Sequence, residues 1–230
     1  MVSMFKHVKP AVILGQVIFE KDIVNELINI YNSEEKLELA WRKGASFKNA
    51  LSVLKEYIDY EFGHSDWQCN EGTFFEAFQP YRIHTDTSTT EHNYQTVVIP
   101  LDWEHNNTLL DKNVLYIFKQ RWHYEATMFR YGSKPTKEGP RHNTDTREYS
   151  KVENLEVNNF IDKETSADCN HLNERHFTGL SVEAKMQWSP GKPFTFPRTA
   201  LHCSNNWHRL GITSKLGLSL FTSSTKGARL

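Results

Sequence analysis

The stretch FQPYRIHTDTSTT, residues 78–90, places a histidine and an aspartate two positions apart after a run of aromatic side chains. The aromatic residues favour a β-strand, and the threonine-rich tail indicates that this strand ends there. Residues i and i+2 of a strand point to the same face, so the tips of His84 and Asp86 can converge on one ion. The motif therefore fits half of a metal site, and it equally fits a solvated strand end.

Composition shows that the motif alone decides little. With 11 histidines and 28 acidic residues among 230 positions, about one His-x-Asp/Glu match is expected by chance. The sequence contains three: His64-Ser65-Asp66, His84-Thr85-Asp86 and His123-Tyr124-Glu125. The context of each match must therefore separate a ligand pair from a coincidence.

The charge and cysteine content exclude several classes of protein. The formal net charge is -1, which argues against capture of nucleic acid by a basic surface. No apolar run approaches the length of a membrane span, and the N-terminal residues lack the apolar core and cleavage site of a signal peptide. Three cysteines without a CxxC motif suit free thiols in a reducing compartment. We therefore expect a cytoplasmic protein without a membrane segment.

Hydrophobic periodicity predicts a mainly β fold with helices at the N-terminus. Apolar residues recur at helical spacing over 20–32 and 46–62. The rest is dominated by strand-like runs at 73–83, 94–101, 113–122, 179–188, 194–197 and 212–223. Many short strands separated by turn residues, such as Ser189-Pro190-Gly191, favour a closed sandwich or barrel of the jelly-roll kind.

The chain is predicted to form one domain over residues 1–230. Residues 1–63 would supply helices that cover the outside of a β core spanning 73–223. Between the strands, residues 130–176 are polar and weakly periodic. A loop of this length is usually functional or disordered, so the segment is either a lid that faces the substrate or a solvated excursion.

A third ligand is needed to complete a metal site with His84 and Asp86. Two histidines and one carboxylate on one face of an octahedron suit ferrous iron and leave positions open for a co-substrate and dioxygen. His202, after the short aromatic run of residues 194–197, is the natural third ligand, and His208 is the alternative. Downstream, Lys215 shares a strand face with Gly217, and burying its charge would be costly without an anion. Its ammonium could meet the distal carboxylate of a dicarboxylic co-substrate.

This ordered set of motifs resembles the Fe(II)/2-oxoglutarate-dependent oxygenase superfamily. The matching segments are YRIHTDT with His84 and Asp86, QTVVIPL, SPGKPFTFPRTALHCSNN with His202, and SKLGLSLFT with Lys215. A lysine anchor is similar to that of prolyl-hydroxylase-like members. Because the spacing from His202 to Lys215 exceeds the usual family spacing, Arg209 is the alternative anchor.

The resemblance implies a double-stranded β-helix, a jelly-roll or cupin-like core. It implies Fe(II) held by His84, Asp86 and His202, with 2-oxoglutarate bound through Lys215 and a hydrogen bond from Tyr81, unless Tyr81 only packs in the core. It also implies a dioxygenase that hydroxylates a C–H bond and releases succinate and CO2. A carboxylate at position 86 favours hydroxylation, since halogenating relatives lack it.

The substrate implied is a polar small molecule or peptide, such as proline, another amino acid or a metabolite, with dioxygen as the second reactant. Two other classes share the predicted fold. One is a non-catalytic cupin-like module that binds a metal or ligand, and the other is a metal-independent structural jelly roll. Neither has a need for a lysine that faces the metal. Arg198 could pair with a substrate or structural carboxylate, and the structural role is favoured.

Overall fold

The computed structural model describes residues 13–14, 18–62, 67–87, 93–105, 110–122, 152–156 and 158–224. Within these residues two antiparallel sheets lie face to face, and helices cover the outside of the larger sheet. The motifs beginning at His64 and His123, and residues 130–151 of the polar insert, lie outside the described residues.

Most of the described residues outside loops belong to strands, and two of the three described helices lie near the N-terminus. The three helices of the described residues are α1 (Lys21–Ser33), α2 (Lys48–Phe62) and α3 (Lys163–Asp168). In chain order the strands are β1 (Ile13–Leu14), β2 (Leu37–Leu39), β3 (Arg42–Ser46), β4 (Trp67–Ala77), β5 (Asn93–His105), β6 (Val114–Trp122), β7 (Val152–Glu153), β8 (Val182–Gln187), β9 (Phe194–Pro197), β10 (Ala200–Ser204) and β11 (Ile212–Ser224).

The sheet order is that of a double-stranded β-helix. The larger sheet has the order β1-β9-β5-β11-β4-β3-β2, and the smaller sheet has β6 at its centre, paired with β10, β8 and β7. Going along the chain, β4 and β5 of the larger sheet flank His84, which bridges to β10 of the smaller sheet. The chain then passes through β6 and β8, returns to the larger sheet at β9, and alternates again through β10 and β11. The predicted fold class is thereby confirmed.

Three apolar clusters hold these layers together. The first lies between the larger sheet and helices α1 and α2, where Leu27, Leu54 and Phe74 are fully buried. The second covers the outer face of the smaller sheet, and the third fills the space between the sheets with residues that include Ile117, Phe196 and Trp188. The predicted helix over 20–32 is confirmed, because its buried residues Val24, Leu27 and Tyr31 recur at helical spacing.

Strand β11 separates the outer core from the interior. Leu216, Leu218 and Leu220 of β11 belong to the first cluster, between the larger sheet and helices α1 and α2. On the opposite face, a Cβ atom placed on Gly217 would come within 2.7 Å of Trp188 Cη2, so Gly217 faces the interior between the sheets. The predicted division of this strand into an apolar face and a face with lysine and glycine is therefore correct. Strand β5 behaves similarly, with Val97 and Ile99 outside and Val98 inside.

One local prediction from the alternation pattern is wrong. The alternation over 179–188 places Leu180, Val182, Ala184, Met186 and Trp188 on one face. In the structure, Leu180 and Val182 pack in the outer cluster of the smaller sheet, whereas Met186 and Trp188 face the interior. The cause is a shift in register where β8 pairs with β6, between Ile117 and Phe118. The predicted second helix is confirmed over Lys48–Phe62, and the Ser46 hydroxyl accepts a hydrogen bond from the Lys48 N–H at 3.4 Å. The helix begins two residues after position 46 because Arg42–Ser46 forms strand β3 in a hairpin with β2.

The described part of the 130–176 insert packs on the outside of the smaller sheet. Val152 and Cys169 are buried in its outer cluster. Helix α3 begins at an N-cap, Asp162, whose carboxylate accepts a hydrogen bond from the backbone N–H of Thr165 at 2.8 Å. A lid function for the remainder of the insert stays a prediction. Among the described residues, no helix combines the length and the apolar character needed to cross a membrane.

The leucine face of β11 should carry much of the stability. Leu218 is fully buried between the larger sheet and the helices, so Leu218→Ala should lower the free energy of unfolding by about 2–5 kcal/mol. Leu37→Ala is the matched control, because Leu37 is 68% exposed on β2, and should change it by less than about 0.5 kcal/mol. Urea unfolding followed by circular dichroism measures both, and equal effects would contradict the assignment of this face.

Candidate metal centre

The three predicted metal ligands come together between the sheets. One potential ligand atom from each of His84, Asp86 and His202 lies within 4.8 Å of the others. The two Asp86 oxygens each face one imidazole, with Oδ1 at 3.7 Å from His84 Nε2 and Oδ2 at 3.6 Å from His202 Nε2. Two imidazole nitrogens and one carboxylate that close together are the donor set suited to a non-haem ferrous ion.

Backbone pairing brings the two histidines together. His84 and His202 exchange both backbone hydrogen bonds, each with an N···O distance of 3.0 Å. Residues opposite each other in an antiparallel pair carry their side chains on the same side, and the two imidazole centroids are 4.0 Å apart. The bridge is isolated, because residues 78–87 form no regular strand. The predicted strand end is therefore a single bridging residue.

The outer nitrogens of both histidines fix the tautomers. His84 Nδ1 is 2.8 Å from the carbonyl oxygen of Arg82, and His202 Nδ1 is 3.0 Å from that of Ala200. A carbonyl oxygen can only accept, so each Nδ1 carries the proton and donates. Each Nε2 consequently presents its lone pair toward Asp86, which is the arrangement of metal-binding histidines.

Asp86 is held from two sides. Thr96 Oγ1, on strand β5, donates a hydrogen bond to Asp86 Oδ2 at 2.8 Å. The backbone of Asp86 is paired with Arg198, whose Nε donates to the Asp86 carbonyl at 2.9 Å and whose carbonyl accepts from the Asp86 N–H at 3.1 Å. Arg198 is 2% exposed and also lies 3.6 Å from the Glu71 carboxylate. These contacts support the structural role of Arg198 rather than one in substrate binding.

Lys215 lies buried on the inner face of β11. Its exposed fraction is 4%, and its Nζ is 4.9 Å from the ring centroid of Trp188 and 5.5 Å from that of Trp207. Among the described residues, no carboxylate or hydrogen-bond acceptor pairs with this ammonium. Burial lowers the pKa of Lys215 well below its usual value. A buried cation without a counter-charge favours an anionic ligand.

Arg209 and His208 lie outside the ligand cluster, whereas Tyr81 borders it. Arg209 is exposed in the 3-10 turn Trp207–Leu210, and its Nη1 donates to the carbonyl of Ala167 at 2.7 Å. His208, the alternative metal ligand, is exposed with Nε2 3.0 Å from the Phe78 carbonyl oxygen. Tyr81 contacts the metal cluster through its ring, edge-to-face with His84 at 4.3 Å between centroids.

The cysteine and histidine residues at 169–176 do not form a second metal site. Within the described part of the chain, the only cluster of three potential ligands is that of His84, Asp86 and His202. His171 Nε2 is 3.3 Å from the Tyr81 carbonyl oxygen. Cys203, next to His202, is fully buried beside Cys169, and burial raises its pKa well above the usual thiol value. It packs as a small buried residue.

Sequence reasoning missed two contributors to the site. Thr96 lies within an apolar strand whose pairing partner could not be known, so its hydrogen bond to Asp86 had no local signal. Trp41, at the turn of the unpredicted β2–β3 hairpin, packs against Tyr81 with ring centroids 5.1 Å apart and a tilt of 32° between the rings. The Arg42 guanidinium lies 4.5 Å from the Trp41 ring centroid. Tyr81, Trp41 and Arg42 thus form an aromatic and cationic cluster next to His84.

The Thr96 hydroxyl should orient the Asp86 carboxylate for a metal. Thr96→Val keeps the shape of the side chain but removes the donor, so the affinity for Ni²⁺ should fall about 10–100-fold. Thr96→Ser retains the hydroxyl and should bind Ni²⁺ almost as the unaltered protein does. Calorimetric titration gives both affinities, and an unchanged affinity in the valine variant would show that Thr96 does not act on the site.

Comparison with known proteins identifies the fold. No protein-family model and no curated protein matches the sequence. The solved structure of HygX from Streptomyces hygroscopicus, with nickel, 2-oxoglutarate and hygromycin B bound, matches with 9% identity and a TM-score of 0.51, covering 94% of this chain and 84% of HygX. The epimerase SnoN, in complex with Fe3+, alpha-ketoglutarate and nogalamycin RO, matches with 11% identity and a TM-score of 0.51, covering 96% and 82%. The chain therefore has the double-stranded β-helix fold shared by these metal- and 2-oxoglutarate-bound proteins.

Proposed function

We propose that the protein is a non-haem Fe(II)- and 2-oxoglutarate-dependent dioxygenase that hydroxylates a C–H bond of a polar substrate. The observation that carries the proposal is the pair of Nε2 lone pairs and the carboxylate that face one point between the sheets. The fold shared with HygX and SnoN supports it further, since both hold a metal and 2-oxoglutarate.

In this proposal His84 Nε2, Asp86 and His202 Nε2 would hold Fe(II). When bound, Fe(II) and 2-oxoglutarate supply an oxidant from dioxygen, with release of succinate and CO2. Thr96 and Arg198 keep Asp86 in place, and the Nδ1 hydrogen bonds keep both imidazoles oriented. The chain thus provides a preorganised donor set.

Lys215 is the proposed anchor for the distal carboxylate of 2-oxoglutarate. Its burial on the inner face of β11 and its lack of a counter-charge among the described residues support this role. Arg209 is a weaker candidate because it is exposed and already donates to Ala167. An ammonium whose charge is otherwise uncompensated gains the most from binding a carboxylate.

The surface beside His84 supports a polar substrate. Tyr81 and Trp41 form a continuous aromatic surface from the metal ligand outward, and the cationic Arg42 lies over Trp41. Aromatic faces and a guanidinium suit a substrate with hydrogen-bond acceptors or negative charge. An amino acid, a peptide or another small metabolite fits this description, and the ligands hygromycin B of HygX and nogalamycin RO of SnoN favour a small molecule.

The proposed activity has a direct spectroscopic test. Fe(II) and 2-oxoglutarate added without oxygen should give a weak visible charge-transfer band, and admitting oxygen should produce succinate. His84→Ala and His202→Ala should each abolish the band and reduce succinate formation at least about 100-fold, because each removes a metal ligand. His208→Ala is the matched control, since His208 is exposed and lies outside the cluster. A band and succinate that persist in His84→Ala would refute the function, and metal binding without turnover would favour the cupin-like binding module.

Lys215 should destabilise the protein when no 2-oxoglutarate is present. Lys215→Met keeps the apolar stem but removes the buried charge, so it should raise the free energy of unfolding at pH 7 by about 1–4 kcal/mol. The pKa of Lys215 is lowered in the folded state, whereas in the unfolded state it is about 10.4. Between these two pKa values the unfolded state binds more protons than the folded state. The free energy of unfolding of the unaltered protein therefore increases as pH rises through this range. The difference in the free energy of unfolding between Lys215→Met and the unaltered protein should therefore shrink as pH approaches about 10.4. Urea unfolding across this range measures it, and a methionine variant no more stable than the unaltered protein would contradict the argument.

A further inference from the structure

Two buried residues of the barrel interior, Trp188 and Asn113, have side-chain polar atoms without hydrogen-bond partners in the described part of the chain. Trp188 is 4% exposed and Asn113 fully buried. Within the described residues, the indole Nε1 of Trp188 and both side-chain heteroatoms of Asn113 have no hydrogen-bond partner. Buried polar groups are nearly always hydrogen-bonded, so these atoms, together with the buried Lys215 ammonium, favour a polar ligand at this place.

Trp188 and Asn113 face the same space. The backbone N–H of Trp188 donates to the Asn113 carbonyl at 2.8 Å, one position beyond the paired residues Val114 and Gln187. Residues opposite each other in an antiparallel pair project to the same face. That face is the interior, because Trp188 belongs to the cluster between the sheets.

Gly217 aligns the indole with the inner face of β11. A Cβ atom on Gly217 would lie 2.7 Å from Trp188 Cη2 and 3.1 Å from Cζ2, so this edge of the indole occupies the space that a side chain would fill. Cζ2 and Nε1 lie on the same edge of an indole. The N–H edge of Trp188 therefore approaches the strand face that carries Lys215, whose Nζ is 4.9 Å from the Trp188 centroid.

We propose that the Trp188 indole N–H and the Asn113 carboxamide complete, with the Lys215 ammonium, a binding site for the distal carboxylate of the co-substrate. The inference rests on the proposed function and adds two residues to it. A carboxylate can accept about four hydrogen bonds, and these side chains offer neutral donors beside one cation. Lys215 would neutralise the charge, while Trp188 and Asn113 would fix the direction of the carboxylate.

The site explains why position 217 is a glycine. Any larger residue there would displace Trp188 or Phe75, because its Cβ would come within 2.8 Å of an atom of each ring. The Trp188 indole occupies the space that a side chain at position 217 would fill. The indole has an N–H donor, which an aliphatic side chain lacks. Selection for a 2-oxo acid with a distal carboxylate would then depend on three residues from three different segments.

A comparison of two ligands tests the site. The protein is loaded with Ni²⁺ to prevent turnover, and calorimetry measures the binding of 2-oxoglutarate and of 2-oxopentanoate, which has a methyl group in place of the distal carboxylate. Trp188→Phe and Asn113→Leu should each lower the affinity for 2-oxoglutarate about tenfold or more, which is the usual effect of losing a hydrogen bond to a charged group. Binding of 2-oxopentanoate should be unchanged. Trp122→Phe, a buried indole in the outer cluster of the smaller sheet, is the control and should alter neither.

The possible results separate this inference from the proposed function. If the unaltered protein does not bind 2-oxoglutarate, the proposed function fails and the inference fails with it. If the unaltered protein binds and Trp188→Phe binds equally well, the inference alone is overturned. If Trp188→Phe lowers the affinity for both ligands to the same degree, Trp188 maintains the shape of the pocket and is not a hydrogen-bond donor to the carboxylate. This result also overturns the inference.

A measurement on the unaltered chain covers the case in which the variants do not fold. With ¹⁵N-labelled protein and Zn²⁺ as the metal, the indole N–H resonance of Trp188 should move downfield when 2-oxoglutarate is added. The same resonance should stay in place with 2-oxopentanoate. A resonance that responds equally to both ligands, or to neither, would rule out a hydrogen bond to the distal carboxylate.

Discussion

The candidate site depends on one reciprocal pair of backbone hydrogen bonds, between His84 and His202. The two residues lie far apart in the sequence, and this bridge is what places their imidazoles side by side. Two positions after the bridge, the Asp86 backbone is held by Arg198 of the same partner segment. The Asp86 carboxylate therefore stays on the side of the two imidazoles, with its ligand oxygen within 4.8 Å of both.

Stability and chemistry are assigned to different faces of the same strands. The outer faces of β5 and β11 carry Val97, Ile99 and the leucines that pack under α1 and α2, and this burial supplies the main driving force for folding. The inner faces can then carry groups that cost stability, such as Thr96 and Lys215. Burial on both faces explains the continuous apolar run of β5. The alternation of β11 instead reflects an apolar outer face and an inner face that carries Lys215 and Gly217. The helices stabilise a barrel whose interior is partly polar.

The sequence predicted most of the longer strands, the faces of β11 and the identity of the converging residues, because each has a local signal. Strand β10, which carries His202, was not among the predicted strands. His84 and Asp86 end a recognisable run, and Lys215 lies opposite a stripe of leucines. The misplacement of Val182 came from a register shift, which depends on the partner strand and leaves no mark in the alternation. The β2–β3 hairpin was missed because its charged residues do not alternate. The partners Thr96 and Asn113 depend on pairing between distant segments, which one sequence without its fold cannot supply.

Lys215 gives the strongest physical indication that the interior binds an anion. The rings of Trp188 and Trp207 lie within 5.5 Å of its Nζ, and cation–π attraction offsets only part of the cost of burying an ammonium. A lysine kept for packing alone would be replaced without loss by methionine, which fills the same volume. Buried groups that reduce stability are characteristic of functional sites. The metal donors and the buried cation lie on inner faces of the same barrel, and a dicarboxylic 2-oxo acid has the two ends needed to engage both.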